Sequence, residues 1–335
     1  MTGAETSLRT LRVGTRTSAL ALRQTDLVID LLCAAQPGLA VEVVRVVTRG
    51  DRTQASGVPL PEIGAKGLFT AELEQGLRAG SIDLAVHSLK DLPTEEPAGV
   101  TIGAVCLRED PRDALVSRGG ATLASLPSGA SVGTSSVRRA AQLLAARPDL
   151  RVVPVRGNVD TRVRKVRDGE LDATVLALAG LRRLGLDGDV GEVLPLELML
   201  PAPGQGALAV QCRTDERLAL DALAAIDDAG ARAAVSAERA FLRDVGGGCS
   251  APVGAYAEVV RPGIVRLRIV VLSPDGCDVV REEGQGEPVE IGRALAARAL
   301  AAGAGRVLAA ARGDQRPAGA LSGVRIAVTR PREQG

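Results

Sequence analysis

The feature that most constrains the fold is the alternation of short apolar runs with helix-like segments across the first part of the chain. Leu11–Gly14 and Ser131–Gly133 are predicted strands. Ser18 is the predicted N-cap of a helix that extends to about Ala35, and Val137–Ala146 is a second predicted helix. Strand–helix–strand repetition is typical of parallel sheets with helices on both faces, so the sequence predicts a doubly wound α/β fold.

A chain of 335 residues is long enough for two or three domains. Pro, Gly and charged residues indicate that the chain crosses from one sheet to a second at Arg108–Asp113 and returns at 199–210, which would make the first domain discontinuous. After about residue 225, three strands flanked by helices, the last over about Glu290–Ala311, predict a small α+β C-terminal domain. The predicted divisions are domain 1 at 10–106 with 201–224, domain 2 at 107–200, domain 3 at 225–312, and a linker and tail at 313–335.

Composition excludes several classes of function. The net charge is only +1, and the chain has two Phe, one Tyr and no Trp, so neither a general attraction to nucleic acid nor a stacking surface for bases is expected. No apolar run has the length of a signal peptide or a membrane span, so we expect a soluble, cytoplasmic protein that binds no membrane. Five scattered cysteines without a C-x-x-C pattern, and one histidine, predict neither a disulfide framework nor a metal site.

The predicted strand ends carry a cluster of basic and hydroxyl side chains. Ligands of open α/β sheets bind beyond the carboxyl ends of the strands. Arginine pairs well with carboxylates, and a helix N-terminus favours an anion. Single arginines would be solvated surface residues, but five strand ends together predict a cleft for a ligand with many carboxylates. The residues are Arg16 and Ser18; Lys90 and Asp91; Thr134, Ser136, Arg138 and Arg139; Arg156 and Arg162; and Arg183.

Motifs for other chemistries are missing from the sequence. It contains no phosphate-binding G-x-x-x-x-G-K-[ST], no strand-linked G-x-G-x-x-G and no nucleophile elbow G-x-S-x-G. His87 could act as a base, but a lone histidine beside a strand end is more often a hydrogen-bonded structural residue, and we prefer that interpretation.

Cys249 follows three consecutive glycines in the segment GGGCS. Glycines permit unusual backbone angles and would let a thiol project from a loop toward a bulky group. Nearby arginines would lower the pKa of that thiol and make it reactive. A tight turn that ends in a small buried residue explains the same segment, and the residues alone slightly favour this simpler interpretation.

Several longer motifs then resemble one family, porphobilinogen deaminase. They run in the family's order over roughly residues 10–312, and include RVGTRTSALALRQ, VVTRGDR, GAKGLF, LAVHSLKDLP, REDPRDA, VGTSSVRR, VRGNVDTR, AGLRRLGL, LPAPGQGAL and ERAFLRDVGGGCSAPVGAYA. The resemblance implies two α/β domains, each like half of a bilobed periplasmic binding protein, and a third domain that carries a cofactor.

The resemblance also implies an activity. Four porphobilinogen molecules would be joined head to tail with loss of ammonia, and hydrolysis would release hydroxymethylbilane. The growing chain would be built on a dipyrromethane cofactor, made by the protein from its own substrate and attached to Cys249 by a thioether. The family implies no metal and a monomer.

Roles carried over from the family motifs agree with the cleft predicted from the strand ends. Asp91 would be the catalytic acid/base. The cofactor would be bound by Lys90, Thr134, Ser136, Arg138 and Arg139, and the substrate or growing chain by Arg16, Ser18, Lys66, Arg156, Arg162 and Arg183. One departure is Glu62, where many family members have a lysine, so a basic role at that position is in doubt.

Two alternatives stay open at the level of sequence. The tail SGVRIAVTRPREQ resembles the first strand of uroporphyrinogen-III synthase, the next enzyme of the pathway, and indicates either a fused second enzyme or a short unrelated tail. The motifs through Gly204 would also suit a non-catalytic bilobed protein that binds a small carboxylate. The lack of a signal peptide and the glycine-rich segment before Cys249 argue against that protein.

Overall fold

The computed structural model describes residues 10–51, 70–248 and 251–311. The chain begins with a strand, a helix and a second strand, followed after residues 52–69 by a further helix and two strands. These elements are β1 (Leu11–Arg16), α1 (Ala19–Ala35), β2 (Val41–Val46), α2 (Ala71–Arg78), β3 (Leu84–Ser88) and β4 (Val100–Cys106). The helix α1 begins where the sequence predicts, because the Ser18 hydroxyl accepts a hydrogen bond from the backbone N–H of Ala21.

The next part of the chain forms a second sheet with its own helices. Its elements are β5 (Asp113–Ser117), β6 (Ser131–Gly133), α3 (Val137–Ala146), β7 (Arg151–Val153), α4 (Val159–Arg167), β8 (Ala173–Ala177), α5 (Leu178–Arg183) and β9 (Val190–Val193). The chain then returns to the first sheet with β10 (Leu208–Arg213) and α6 (Arg217–Ala224). We call β1–β4, β10, α1, α2 and α6 lobe 1, and β5–β9 with α3–α5 lobe 2.

The two sheets have the same strand order, β2-β1-β3-β10-β4 in lobe 1 and β7-β6-β8-β5-β9 in lobe 2. In each sheet the strand that follows a crossing between the lobes runs antiparallel to its neighbours, β10 in lobe 1 and β5 in lobe 2. Both strands start beside the carboxyl end of a neighbour, since Leu208 pairs with Ser88 and Asp113 pairs with Ala177. A strand that begins at the carboxyl end of its neighbour must run antiparallel to it. The two sheets are therefore mixed rather than parallel as predicted.

Apolar side chains cover both faces of each sheet. In lobe 1, Val28 and Leu32 of α1 pack on one face and Leu73 of α2 packs on the other. In lobe 2, Leu143 of α3 and Val163 of α4 cover opposite faces in the same way. The predicted α/β class is therefore confirmed, and it leaves the carboxyl ends of the parallel strands as the edge where polar side chains gather.

A small α+β unit follows, as predicted. It consists of α7 (Ala229–Asp244), β11 (Val253–Arg261), β12 (Ile264–Leu272), β13 (Val279–Gly286), α8 (Pro288–Ala301) and α9 (Ala304–Ala311), and we call it the C-terminal unit. Its antiparallel sheet, in the order β11-β12-β13, packs against the helices through one apolar cluster. The single helix expected over about Glu290–Ala311 is wrong, because the chain bends by 81° between α8 and α9, where Gly303 has a φ of 99°.

Within the described ranges, no single helix is long and apolar enough to cross a membrane, and the bent pair α8 and α9 meets that test only when the two helices are taken together. Cys249, Lys66, Glu62 and the tail at 313–335 lie outside the described residues. The residue boundaries of the three domains stay a prediction, although the strands on either side of Arg108–Asp113 belong to different sheets.

The C-terminal unit holds both crossings between the lobes through one buried carboxylate. Glu238 of α7 accepts a hydrogen bond from Arg108 (2.6 Å) in the first crossing and from the backbone N–H of Gly204 (2.7 Å) in the return crossing. It also accepts one from the backbone N–H of Ala257 in β11 (2.7 Å). Four chain segments thus meet at one side chain, which fixes the C-terminal unit against the segments that join the lobes.

Candidate active site

A cavity of about 220 Å³ lies between the lobes, at the ends of β1, β3 and β8. Seven of the predicted site residues line it, so sequence positions that are far apart do converge on one site. They are Arg16, Ser18, Lys90, Asp91, Arg139, Arg162 and Arg183.

Other predicted residues lie near the cavity without lining it. The Ser136 hydroxyl caps α3 by accepting a hydrogen bond from the backbone N–H of Arg139 (3.5 Å), and the Thr134 hydroxyl accepts one from the N–H of Ser136 (3.1 Å). Both hydroxyls therefore shape the helix N-terminus that delivers Arg139 to the cavity. Arg156 is half-buried after β7, and Arg138 lies in the protein interior.

Arg138 and Arg139 share a buried counter-ion that the sequence did not predict. Nη1 of Arg138 and Nη2 of Arg139 each lie 2.7 Å from a carboxylate oxygen of Asp113, at the start of β5. Burial alone would raise the pKa of Asp113, but the two guanidiniums hold it well below its usual range. Nη1 of Arg138 also donates to the Leu200 carbonyl (2.6 Å), so its guanidinium is held inside the protein, while Arg139 reaches the cavity.

Among the described residues, Lys90 is the one lysine that lines the cavity. Its pKa is lowered to about 8 because burial disfavours the charged amine and Arg139 repels it. Near neutral pH the amine is therefore mostly protonated, but it titrates within the range in which enzymes work.

Two arginines of lobe 2 are held by backbone carbonyls and stay available to a ligand. Arg162 donates from Nε to the Gly157 carbonyl (2.9 Å), and burial together with Arg139 and Arg156 lowers its pKa to about 10. Arg183 donates from Nη2 to the carbonyl of Gly206 (2.6 Å), and burial lowers its pKa as well. Both groups are cationic at neutral pH and keep donors for carboxylates.

Arg16 enters the cavity from the end of β1 and is paired with a carboxylate that follows β2. Its Nη2 lies 2.5 Å from Oδ1 of Asp51, whose other oxygen accepts a hydrogen bond from the Thr48 hydroxyl (2.7 Å). The sequence does not predict Asp51 as a partner, because nothing in it shows which arginine this carboxylate meets.

Asp91 lies on a one-turn helix, Leu89–Asp91, that follows β3 and stops before Pro93. The side chain is exposed and lines the cavity. Asp91 is the one carboxylate among the predicted strand-end residues, but a second carboxylate, Asp160 in the first turn of α4, also lines the cavity. The lining thus combines five cationic side chains with two carboxylates, a donor set that fits a ligand with several carboxylate groups.

His87 lies in β3 and is only 5% exposed. Burial and the nearby Arg16 lower its pKa to about 4, so the imidazole is neutral at physiological pH. It does not line the cavity, which agrees with its interpretation as a structural residue.

Comparison with known proteins gives the site a chemical context. The family model described as "Porphobilinogen deaminase, dipyromethane cofactor binding domain" matches residues 11–221, and "Porphobilinogen deaminase, C-terminal domain" matches residues 232–301. A porphobilinogen deaminase of Roseiflexus sp. (strain RS-1) is 52% identical over 304 residues, covering 90% of this chain and 99% of that protein. One of Brevibacillus brevis is 49% identical over 299 residues, covering 89% of this chain and 96% of that protein.

Among solved structures, the periplasmic aliphatic sulphonate binding protein SsuA from Escherichia coli is 17% identical, with a TM-score of 0.37 and coverage of 70% of each chain. The family matches span both lobes and the C-terminal unit, so the alternative of a non-catalytic carboxylate-binding protein is not favoured. The chain belongs to the porphobilinogen deaminase family, transferases of tetrapyrrole synthesis that join four porphobilinogen molecules with loss of ammonia to give hydroxymethylbilane on a dipyrromethane cofactor.

Proposed function

We propose that the cavity between the lobes is the active site and that Asp91 is its catalytic acid/base. The observation that carries this proposal is the position of an exposed carboxylate among five cationic side chains at the edge where the parallel strands end. Those cations suit the acetate and propionate groups of each pyrrole ring, and Asp91 is left to act on the ring nitrogens.

Both lobes contribute to binding of the cofactor and to binding of the substrate in this proposal. Lys90 and Arg139, with Thr134, Ser136 and Arg138 behind them, hold the cofactor, which when bound supplies the pyrrole ring to which the first substrate is joined. Lys66 and the remaining basic residues, together with Ser18, hold the incoming substrate or the growing chain. The remaining basic residues are Arg16, Arg156, Arg162 and Arg183. Arg138 acts through Asp113, which it shares with Arg139.

Asp91 performs two tasks for the incoming substrate. When ammonia leaves porphobilinogen, positive charge develops at the ring nitrogen, and a fixed carboxylate stabilises that charge. After the new carbon–carbon bond forms, a ring proton must leave, and a carboxylate can accept it. The surrounding arginines cannot take this role because they are always protonated.

Single-turnover elongation of holoenzyme variants tests the assignment. Asp91→Asn keeps the shape and removes the charge, so we expect turnover to fall by about 100- to 10,000-fold while substrate still binds. Asp91→Glu keeps the charge and should retain part of the activity. Asp160→Asn is the matched control, because it removes the other carboxylate of the cavity and should cost much less. If Asp91→Asn outperforms Asp91→Glu, Asp91 is a structural residue.

We also propose that Cys249 carries the cofactor through a thioether, although it lies outside the described residues. Support comes from its glycine-rich segment, which falls within the part of the chain matched by the C-terminal family domain. Burial raises the pKa of the Cys106 thiol to about 12 and that of Cys212 to about 11, so both are poor nucleophiles. Cys249→Ser should fold, lack the cofactor and be inactive. A variant that still reacts with a pyrrole-detecting aldehyde would refute this assignment.

The setting of the reaction is proposed from the family alone. We propose that the protein works as a cytoplasmic monomer and that uroporphyrinogen-III synthase consumes its product. The likeness of the tail to that synthase stays a prediction, because 313–335 lie outside the described residues. Sedimentation velocity of the holoenzyme should give a single species of about the mass of one chain, and a stable dimer would contradict the proposal.

A further inference from the structure

A fully buried glutamine connects the two lobes behind the cavity. Oε1 of Gln205, in the return crossing, accepts a hydrogen bond from Nζ of Lys90 in lobe 1 (3.2 Å). Its Nε2 donates to Oδ1 of Asp113 in lobe 2 (2.9 Å) and to the Pro111 carbonyl in the first crossing (2.7 Å). All polar atoms of this amide group are therefore used, and they connect three separate segments of the chain.

The orientation of the amide is fixed by its partners. Asp113 and the Pro111 carbonyl are both acceptors, so the Gln205 nitrogen must face them and its oxygen must face Lys90. Asp113 in turn binds Arg139 (2.7 Å). An uninterrupted chain of hydrogen bonds thus runs from the amine of lobe 1 to the guanidinium of lobe 2, although Gln205 itself does not line the cavity.

We propose that Gln205 is a positioning residue that holds the Lys90 amine at the cavity and favours its protonated form. This inference rests on the proposed role of Lys90 as a cofactor ligand. Without the Gln205 oxygen, the amine would keep its repulsive neighbours and lose an acceptor that is fixed in place by the rest of the protein.

The charges that face Lys90 come from several elements. Arg139 and Arg138 of α3 repel the protonated amine, while Asp91 on its own turn and Asp113 of β5 attract it. Three further arginines of the cavity lining add positive charge, namely Arg16, Arg162 and Arg183. Burial and this repulsion already lower the pKa of Lys90 to about 8, so the loss of one hydrogen bond would move its titration toward neutral pH.

The composition of the chain makes the titration of Lys90 directly measurable. The sequence has only three lysines, Lys66, Lys90 and Lys165, so protein labelled with ¹³C-lysine gives a small set of side-chain signals. Lys66→Arg and Lys165→Arg variants assign the other two signals and leave Lys90. The experiment uses the full-length protein, both as apo-protein and as holoenzyme, and follows the Lys90 Cε signal from pH 6 to pH 11.

We expect Gln205→Met, which keeps the volume and removes the acceptor, to lower the pKa of Lys90 by about 1 to 2. Gln205→Glu restores an acceptor oxygen and should return the pKa to the wild-type value or above it. Gln211→Met is the matched control, because Gln211 is another buried glutamine that hydrogen-bonds to neither Lys90 nor Asp113 in the described structure. It should leave the Lys90 signal unchanged.

An unchanged pKa of Lys90 in Gln205→Met, or an equal change in Gln211→Met, would overturn the proposal. If Gln205→Met fails to fold, a pKa below the wild-type value in Gln205→Glu would overturn it as well. Cofactor loading separates this inference from the proposed role of Lys90. Loading of apo-protein with porphobilinogen, followed by intact mass, should weaken at a lower pH in Gln205→Met than in wild type. A shifted pKa with unchanged loading would leave Gln205 as the positioning residue and refute Lys90 as a cofactor ligand.

Discussion

The two lobes are built on one plan but carry different chemistry at their strand ends. In lobe 1, Asp83 precedes β3 and accepts a hydrogen bond from the backbone N–H of Arg12 at the start of β1 (3.0 Å). In lobe 2, Asp172 precedes β8 and accepts one from the N–H of Ser131 at the start of β6 (2.8 Å). The same carboxylate-to-backbone contact thus sets the register of two strands in each lobe.

The close packing of β1 in lobe 1 is repeated at the equivalent strand β6 of lobe 2. A Cβ on Gly14 of β1 would lie 2.4 Å from Cδ1 of Ile82, and a Cβ on Gly133 of β6 would lie 2.6 Å from Cδ1 of Leu171. Glycine is therefore needed at both positions, because the side chain just before the neighbouring strand, Ile82 or Leu171, leaves no room for a Cβ. The helix after each of these strands begins with a serine N-cap, Ser18 in lobe 1 and Ser136 in lobe 2.

The lobes differ after the equivalent strands β3 and β8. The chain of lobe 1 makes one helical turn after β3 and places Lys90 and Asp91 at the cavity, whereas that of lobe 2 continues into α5 and places Arg183 there. After these strands, lobe 1 thus places an amine and a carboxylate at the cavity, whereas lobe 2 places a guanidinium there. The shared backbone decides where side chains meet, and the residues at the strand ends decide what they do.

The largest effect is expected at the buried counter-ion of lobe 2. Asp113→Asn keeps the shape but leaves the guanidiniums of Arg138 and Arg139 buried without a negative partner. We expect the free energy of unfolding, measured in urea, to fall by about 3–5 kcal/mol. A loss below about 1 kcal/mol would show that these arginines do not depend on Asp113.

A change of pH should have a smaller effect on the free energy of unfolding, through His87, a residue at which the two lobes differ. His87 in β3 corresponds to Leu176 in β8, because Ala85 pairs with Gly14 as Thr174 pairs with Gly133. The pKa of His87 falls from 6.5 to about 4 in the folded protein, so its stabilising contribution is present above pH 6.5 and is lost as the pH falls toward 4.

Replacing His87 with leucine, the residue at the equivalent position of lobe 2, tests this difference. Between pH 7 and pH 5, the wild-type protein should lose about 2 kcal/mol more unfolding free energy than His87→Leu. Urea unfolding at both pH values measures the difference. Equal losses in the two proteins would mean that His87 takes up its proton as readily when folded as when unfolded.

The smallest effect is expected at the counter-ion of lobe 1. Arg16 and Asp51 are 18% and 12% exposed, so water still solvates both charges when the pair is broken. Asp51→Asn should lower the free energy of unfolding by about 1 kcal/mol. A loss as large as that of Asp113→Asn would erase the distinction between the two ion pairs.

Much of the fold and the place of the site could be predicted from sequence. Ser131–Gly133 and Val137–Ala146 have the predicted bounds, and Ser18 is the N-cap of α1, because periodicity and capping are local properties. The strand-end rule identified six of the seven charged residues of the described cavity lining for a similar reason, since it needs only the direction of each strand.

What the sequence did not predict depends on partners that are distant along the chain. The sequence predicts no strand at β5 or β10, which begin at the ends of the two predicted crossings, because their antiparallel entry is decided by where the other lobe lies. Lys90 and Gln205 are 115 residues apart, and Asp113 is separated from Arg138 by 25. No spacing rule connects such pairs, and only the fold shows that they meet.

The intact mass of the full-length protein is the most direct test of the central claim, that this chain builds a tetrapyrrole on a cofactor it holds itself. Purified wild-type protein should exceed the mass of its sequence by one dipyrromethane, and limiting porphobilinogen should add a ladder of up to four pyrrole units. Cys249→Ser should show the mass of its sequence alone, with or without substrate. A wild-type protein without the added mass, or a Cys249→Ser variant that forms the ladder, would contradict the account.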